Sequence, residues 1–295
     1  MTALPDVKVL MSTFNGESWL REQLESIHKQ VNVKIELFIR DDGSTDKTKE
    51  ILNSLNLSFN DSLDEENNLG PGKSFLKLIK SVKCQDFIAL ADQDDIWFPD
   101  KIYQATQLLA PHRNVPALYC SNVQFSSNNS LNFEISNLPN PTLPLSFFQN
   151  SAMGCTIVFN KKAHEILKEC SGRGMIMHDW YIFLIIMSTG KVIFDPEPHI
   201  SYRLHENQFV GWKRKRSAKT IFSLEVLRKV LNQSQSIREE FESKLTPQAR
   251  EALDKLVSIR SARFMKRAAL LSQVDLNFRG NPLEDLWTRV RLLLL

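Results

Sequence analysis

Phe87-Ile-Ala-Leu-Ala-Asp-Gln-Asp-Asp-Ile-Trp-Phe-Pro-Asp100 joins an apolar run to a crowd of acids. Phe87 to Ala91 reads as a short, fully buried strand. Asp92, Asp94 and Asp95 gather at its carboxyl end, and Pro99 suits the first position of a helix continuing through Lys101-Ile-Tyr. Open α/β sheets place their ligands at the carboxyl ends of strands. Three carboxylates in four positions repel one another, and a cation relieves that repulsion. All-oxygen ligands suit Mg²⁺ or Mn²⁺. An acidic turn ahead of a helix, with Asp95 or Asp100 favouring the helix N-terminus, is the competing reading. A calcium loop is disfavoured, because Ile96, Trp97 and Phe98 stand where it needs a glycine and further oxygens.

Upstream, Val7 to Met11 reads as a strand ending in the turn Ser12-Thr-Phe-Asn-Gly16, and Ser18 opens a helical pattern with Trp19, Leu20, Leu24 and Ile27 on one face. Val33 to Ile39 is a second strand, ending in Arg40-Asp-Asp-Gly-Ser-Thr-Asp46, with Ser44 or Thr45 placed to cap a helix through Ile51, Leu52 and Leu55. This strand–helix alternation predicts a mainly parallel sheet with right-handed crossovers. Asp41 and Asp42 then share an end of that sheet with the acidic turn. Asn67-Asn-Leu-Gly-Pro-Gly-Lys-Ser74 is a glycine turn before a helix of Phe75, Leu78 and Ile79. It lacks the glycine spacing of a Walker motif, although Lys73 is within the range of a phosphate reading.

Downstream, Ala117 to Cys120 and Val123 to Phe125 are strands, Ser126 to Pro144 is a long loop, and Gly154 to Phe159 is a further strand before a helix over Lys161 to Glu169. Ser171-Gly-Arg-Gly174 turns into Met177-His-Asp-Trp-Tyr181, the head of an apolar helix through Met187. Asp179, an acid at that apolar head, either complements the helix dipole or is a carboxylate whose raised pKa suits a general base. Lys191 to Phe194 and His199 to Leu204 complete the strands.

The pattern changes at Trp212, which divides the chain into a first domain over 1–211 and a helical region over 212–295. The latter carries the basic run Lys213 to Arg216, an apolar stripe of Leu224, Leu227 and Val230-Leu231, and a second of Leu253, Leu256, Ile259 and Phe264. Its end, Leu286 to Leu295, mixes arginines with apolar residues. That suits either an amphipathic helix at an anionic membrane surface or a tail packed on the first domain or on a second copy of the chain.

Composition sets the limits. The 295 residues are 42% hydrophobic and 24% charged, which is ordinary globular material. A net charge of +3, with no aromatic-interleaved basic motif, excludes a nucleic-acid binder. Four widely spaced cysteines, Cys84, Cys120, Cys155 and Cys170, are expected as reduced, buried thiols. The first residues lack a signal-peptide pattern, and no run reaches the ~20 apolar residues needed to span a bilayer. The expected location is the cytoplasm, with attachment to the inner face of the cell membrane as a further expectation.

Thr13-Phe-Asn15, Arg40 to Asp46, Ala91 to Trp97 and His178-Asp-Trp180, in that order, resemble the inverting glycosyltransferases of family 2, which have the GT-A fold. Asp-Gln-Asp-Asp-Ile-Trp and Tyr202-Arg-Leu-His-Glu-Asn-Gln-Phe-Val-Gly211 are most similar to bacterial rhamnosyltransferases of surface polysaccharide synthesis. The resemblance spans roughly residues 5–211. It implies an α/β nucleotide-sugar domain with a mixed, mainly parallel sheet, and a Mn²⁺ or Mg²⁺ cofactor. Thr13, Asn15, Asp41, Asp42, Lys73 and Asp92 are implied on the nucleotide, Asp92, Asp94 and His205 on the metal, and Asp179 as catalytic base. Asp95, Trp97, Gly154, His178, Trp180 and Arg203 are implied around the donor and acceptor. Many relatives carry an acid before the base; here His178 takes that place.

The resemblance further implies transfer of L-rhamnose from dTDP-L-rhamnose to a hydroxyl of a lipid-linked or growing glycan. A UDP-sugar donor and a non-catalytic nucleotide-sugar-binding subunit of a polysaccharide assembly complex are the alternatives. A nucleotidyltransferase is disfavoured, because no glycine-rich loop follows the first strand. Homo-oligomerisation is a further expectation.

Overall fold

The computed structural model describes residues 3–54, 68–126, 134–138, 140–143, 145–205, 223–272 and 282–295. Strand β1 (Asp6–Thr13) leads to α1 (Leu20–His28), β2 (Lys34–Asp41), α2 (Thr48–Ser54), α3 (Gly70–Ser81), β3 (Phe87–Ala91), β4 (Ile96–Trp97) and α4 (Lys101–Leu109). Then follow β5 (Ala117–Ser121), β6 (Gln124–Ser126), β7 (Glu134–Ile135), β8 (Val158–Asn160), α5 (Lys161–Leu167), α6 (His178–Thr189), β9 (Lys191–Asp195) and β10 (Ile200–Arg203). Helices α7 (Leu224–Glu240), α8 (Pro247–Ser261), α9 (Phe264–Leu271) and α10 (Pro282–Leu293) complete the described elements.

The central sheet has the order β2-β1-β3-β8-β5-β9, parallel except for β8, which runs antiparallel to both of its neighbours. Its strands are near-continuous apolar runs because helices cover both faces; all five residues of β3 are buried. Register sets the site: Thr13 pairs with Asp41 and Met11 with Ala91, so the carboxyl ends of β1, β2 and β3 lie side by side. A smaller sheet, β4-β10-β6-β7, folds the chain after the acidic turn back under β10.

Helix α6 is apolar on every side, and a helix of that kind must be buried all round. It packs against α3, α5 and the sheet, and also against α8. Leu227, Val230, Leu231, Leu253, Leu256, Ile259 and Leu292 join the α6 residues in a single apolar cluster. Polar ties reinforce that seam: Ile176 N–H donates to Gln233, Ser171 to Glu240, and Thr246 N–H to Ser188 O. The caps are those the residue types favour. Asn160, Ser223 and Thr246 accept from Ala163, Val226 and Ala249 N–H at the starts of α5, α7 and α8.

Several boundaries differ from the sequence expectation. The Gly70-Pro-Gly-Lys-Ser74 turn is already helical, since Pro71 sits at the start of α3. Pro99 lies outside α4, which starts at Lys101 with Asp100 as its N-cap. Gly154 to Thr156 form a 3₁₀ turn, and the strand begins at Val158. Neither Ser44 nor Thr45 caps α2; Asp46 accepts from the N–H and hydroxyl of Thr48. The Ser126–Pro144 loop contains β7, paired with β6. Leu224 and Phe264 are exposed, so neither belongs to its buried stripe. Leu55, the 206–211 segment and the basic run Lys213 to Arg216 lie outside the described residues. The four cysteines are free and buried, and no helix among the described residues is long and apolar enough to cross a membrane.

Candidate active site

On the nucleotide side, the turn after β1 is stitched to the turn after β2. Thr13 donates its hydroxyl to Asp41 Oδ1 (3.0 Å), and Asp41 also receives the N–H and hydroxyl of Ser44. Asn15, at φ 49°, donates its N–H to Ser44 Oγ and accepts from Thr45 N–H. Asp42 pairs with the fully buried Arg40 and accepts from Leu69 N–H, while Arg40 donates to Ser74 Oγ (2.9 Å), which touches Ser12 Oγ. Asp41 and Asp42 are therefore buried anchors of the turn. Lys73 is exposed on the first turn of α3. Arg40 was legible only as a charge beside two acids; its burial depends on α3 closing over it.

The acidic turn follows β3. One ligand atom each of Asp92, Asp95 and Cys155 lies within 4.8 Å of the other two. Asp95 is buried, and its Oδ2 has no hydrogen-bond partner. Burial pushes the Asp92 carboxyl up, as do the charges of Asp94 and Asp179, and burial with the charges of Asp94 and Asp92 pushes Asp95 up. Burial holds Cys155 as a protonated thiol, so the ligands on offer are carboxylate oxygens. Crowded acids, an orphaned oxygen and a neutral thiol fit a hard divalent cation.

Asp94 turns to His205, with Oδ2 2.7 Å from Nε2, and the imidazole stacks on Trp19 with centroids 3.9 Å apart. Lys101, buried beneath the turn, sits 3.7 Å from the Trp97 ring centre and lowers the Asp92 carboxyl against the other effects. Trp97, expected around the donor and acceptor, is a core side chain at 2% exposure, held by α1, α4 and β10. Arg203 binds Glu22 of α1 through its guanidinium and offers its N–H to Asp95 Oδ1 (3.4 Å).

Sequence reasoning missed Gln93. Its side chain accepts from Phe14 N–H and donates to Phe14 O, both at 2.9 Å. A Cβ on Gly16 would overlap it, which accounts for the glycine there. The only local signal was an amide between two acids.

Asp179 lies in the first turn of α6. Burial raises its carboxyl to about 6, against the hydrogen bonds from Trp180 N–H (2.6 Å) and Asn150 Nδ2 (3.2 Å) that favour the ionised form. Gly154 packs against it: an added Cβ would stand 3.5 Å from Asp179 Cβ and 3.1 Å from His178 Nε2. His178 is buried and stacked on Phe75 (4.2 Å), with neither ring nitrogen bonded, and burial lowers it to about 3. It is a neutral imidazole beside the carboxylate. Trp180 is fixed by its indole N–H on Ser146 O (2.8 Å). Asn150, to which sequence reasoning gave no role, is the side-chain partner of Asp179. A carboxylate at an apolar helix head beside a cation-fitting turn is equipped to take a proton next to a stabilised leaving group.

Residues 8–176 match the family model described as Glycosyl transferase family 2. The chain is 35% identical over 214 residues to the dTDP-rhamnosyl transferase RfbG of Shigella flexneri, covering 68% of this chain and 73% of that one. The Staphylococcus aureus TarS 1-349 structure in complex with UDP-GlcNAc superposes with a TM-score of 0.57 at 16% identity, over 98% of this chain and 88% of that one. The mannosyltransferase PcManGT of Pyrobaculum calidifontis, in complex with GDP-Man and Mn²⁺, gives 0.53 at 15% identity, over 99% and 86%.

Proposed function

Because the chain belongs to glycosyl transferase family 2, we propose that this GT-A glycosyltransferase transfers L-rhamnose from dTDP-L-rhamnose, with inversion, to a hydroxyl of a lipid-linked or growing cell-surface glycan. The observation that carries the reading is the convergence of Asp179 on the acidic turn, close enough for its charge to raise the Asp92 carboxyl. The similarity to the Shigella rhamnosyl transferase supports the donor.

Asp92, with Asp94 and Asp95 beside it, would hold Mn²⁺ or Mg²⁺, which supplies positive charge to the departing nucleoside diphosphate. Thr13, Asn15, Asp41 and Asp42 shape the nucleotide end. Asp179, oriented by Asn150 and Trp180 N–H, accepts the proton of the attacking hydroxyl at a carboxylate oxygen. Burial makes the His178 imidazole a weaker base than Asp179, so it does not compete for that proton.

Thermal unfolding with a panel of nucleotide sugars, with and without Mn²⁺, tests this. A ligand at 100 times its Kd stabilises by about 2.7 kcal/mol, a readily visible shift. A shift with dTDP-L-rhamnose that requires Mn²⁺ is expected. A shift with UDP-sugars alone would replace the donor, and no shift with any would leave a donor site that forms only with acceptor or partner as the better account.

We also assign the outer face of α9 and α10 to an anionic membrane. Phe264, Met265, Leu286, Trp287, Val290 and Leu294 are exposed there, bordered by the exposed Arg263 and Lys266. The pair is joined by Arg267 to Leu293 O and Arg289 to Leu271 O. Co-sedimentation with phosphatidylglycerol vesicles should be lost in Phe264→Ser/Trp287→Ser. Unchanged sedimentation would refute the assignment. Wild-type dimers in light scattering that the double variant lacks would give the face to a second copy.

A further inference from the structure

The loop over 14–19 is tied to both halves of the site. Towards β2, Asn15 N–H donates to Ser44 Oγ, Asn15 Oδ1 accepts from Thr45 N–H, Gly16 N–H donates to Thr48 Oγ1 and Glu17 N–H donates to Asp46 Oδ2. Towards the acidic turn, Gln93 closes on both backbone groups of Phe14, and Trp19 stacks 19° off parallel on the His205 ring that meets Asp94. The amide partners of Gln93 are backbone atoms, and Gly16 leaves the space it occupies. A side chain inserted between Asp92 and Asp94 therefore cannot move without pulling the loop.

We propose that this loop is a mechanical link between the nucleotide end and the cation end of the site, with Gln93 and Trp19 as its positioning residues. The inference rests on the cation reading of the acidic turn but not on any donor identity. Ordering the turn orders Gln93 and His205. They in turn hold Phe14 and Trp19, and the backbone bonds pass that order to residues 44–48. Linkage makes the effect reciprocal: a base seated between the β1 and β2 turns favours the cation, without the diphosphate having to bridge them.

Hydrogen exchange of the full chain with and without Mn²⁺, no nucleotide present, tests it. The peptides covering 14–19 and 44–48 contain no residue placed on the cation. In the wild type, Mn²⁺ should slow exchange at 92–95 and, by about fivefold or more, at 14–19 and 44–48. In Gln93→Ala and Trp19→Ala the slowing should stay at 92–95 and vanish from the other two segments. Trp19→Phe, which keeps a ring over His205, should restore it. Slowing confined to 92–95 in the wild type, or full spread in both alanine variants, overturns the link. No slowing even at 92–95 overturns the cation reading and the link together.

Discussion

Asp179→Asn is expected to lower the transfer rate by about 10²–10⁴-fold while leaving Mn²⁺ and donor binding intact, the contribution of a positioned general base. The amide keeps the shape and one acceptor for Trp180 N–H, and loses both the ability to take a proton and the hydrogen bond from Asn150 Nδ2, which its NH2 cannot accept. Stability should move the other way. The folded-state pKa lies above the ordinary value, at about 6, so the ionised carboxylate costs the folded state free energy at neutral pH. That cost is relieved as pH falls through about 6 towards the unfolded value. The neutral variant should hold or raise its unfolding temperature at pH 7. In the wild type, kcat/KM should fall about tenfold per unit below pH 6. A variant that binds donor weakly, or a rate flat down to pH 5, would remove Asp179 from the role of base.

Arg40→Met should cost about 3–5 kcal/mol of folding free energy, the penalty for leaving a buried partner unpaired. Arg40 is wholly buried, and its partner Asp42 is 2% exposed with, among the described residues, Leu69 N–H as its other side-chain donor. Arg40→Met/Asp42→Leu, which removes both charges, should recover most of that loss, because well-packed apolar pairs replace buried ion pairs at little cost. Urea unfolding separates the two. A single-variant loss below about 1 kcal/mol would mean that water reaches Asp42. The double variant should also lose nucleotide binding, since the β2 turn is built on that pair.

The sheet and its functional end were readable from local pattern. The apolar run at 87–91 is β3 residue for residue, and the acids that follow gather at its carboxyl end beside those of β1 and β2. Asp179 stood out because an acid heads a helix otherwise buried on all sides. What stayed hidden depends on distant partners. Gln93 acquires its role from a backbone 79 positions away, and Trp19 reads as one more apolar helix residue until His205 arrives beneath it. Trp97 differs in the opposite direction: the resemblance implied a place around donor and acceptor, whereas the indole is buried in the core where β4 pairs with β10. Gly154 read as the start of a strand, but the need there is space beside His178 and Asp179.

The packing of α7, α8 and α10 on α6 also bears on how the chain is born. A ribosome works from the first residue onward, and domains generally fold as their chain emerges. When α6 leaves the exit tunnel, one apolar side finds the sheet and the other finds nothing, because its cover has not been translated. The carboxylate of Asp179 at its head thus gains its final surroundings only after α8 and Leu292 have docked. Nascent chains stalled between α6 and α8 should bind chaperones and be inert, which delays competence until α8 has emerged.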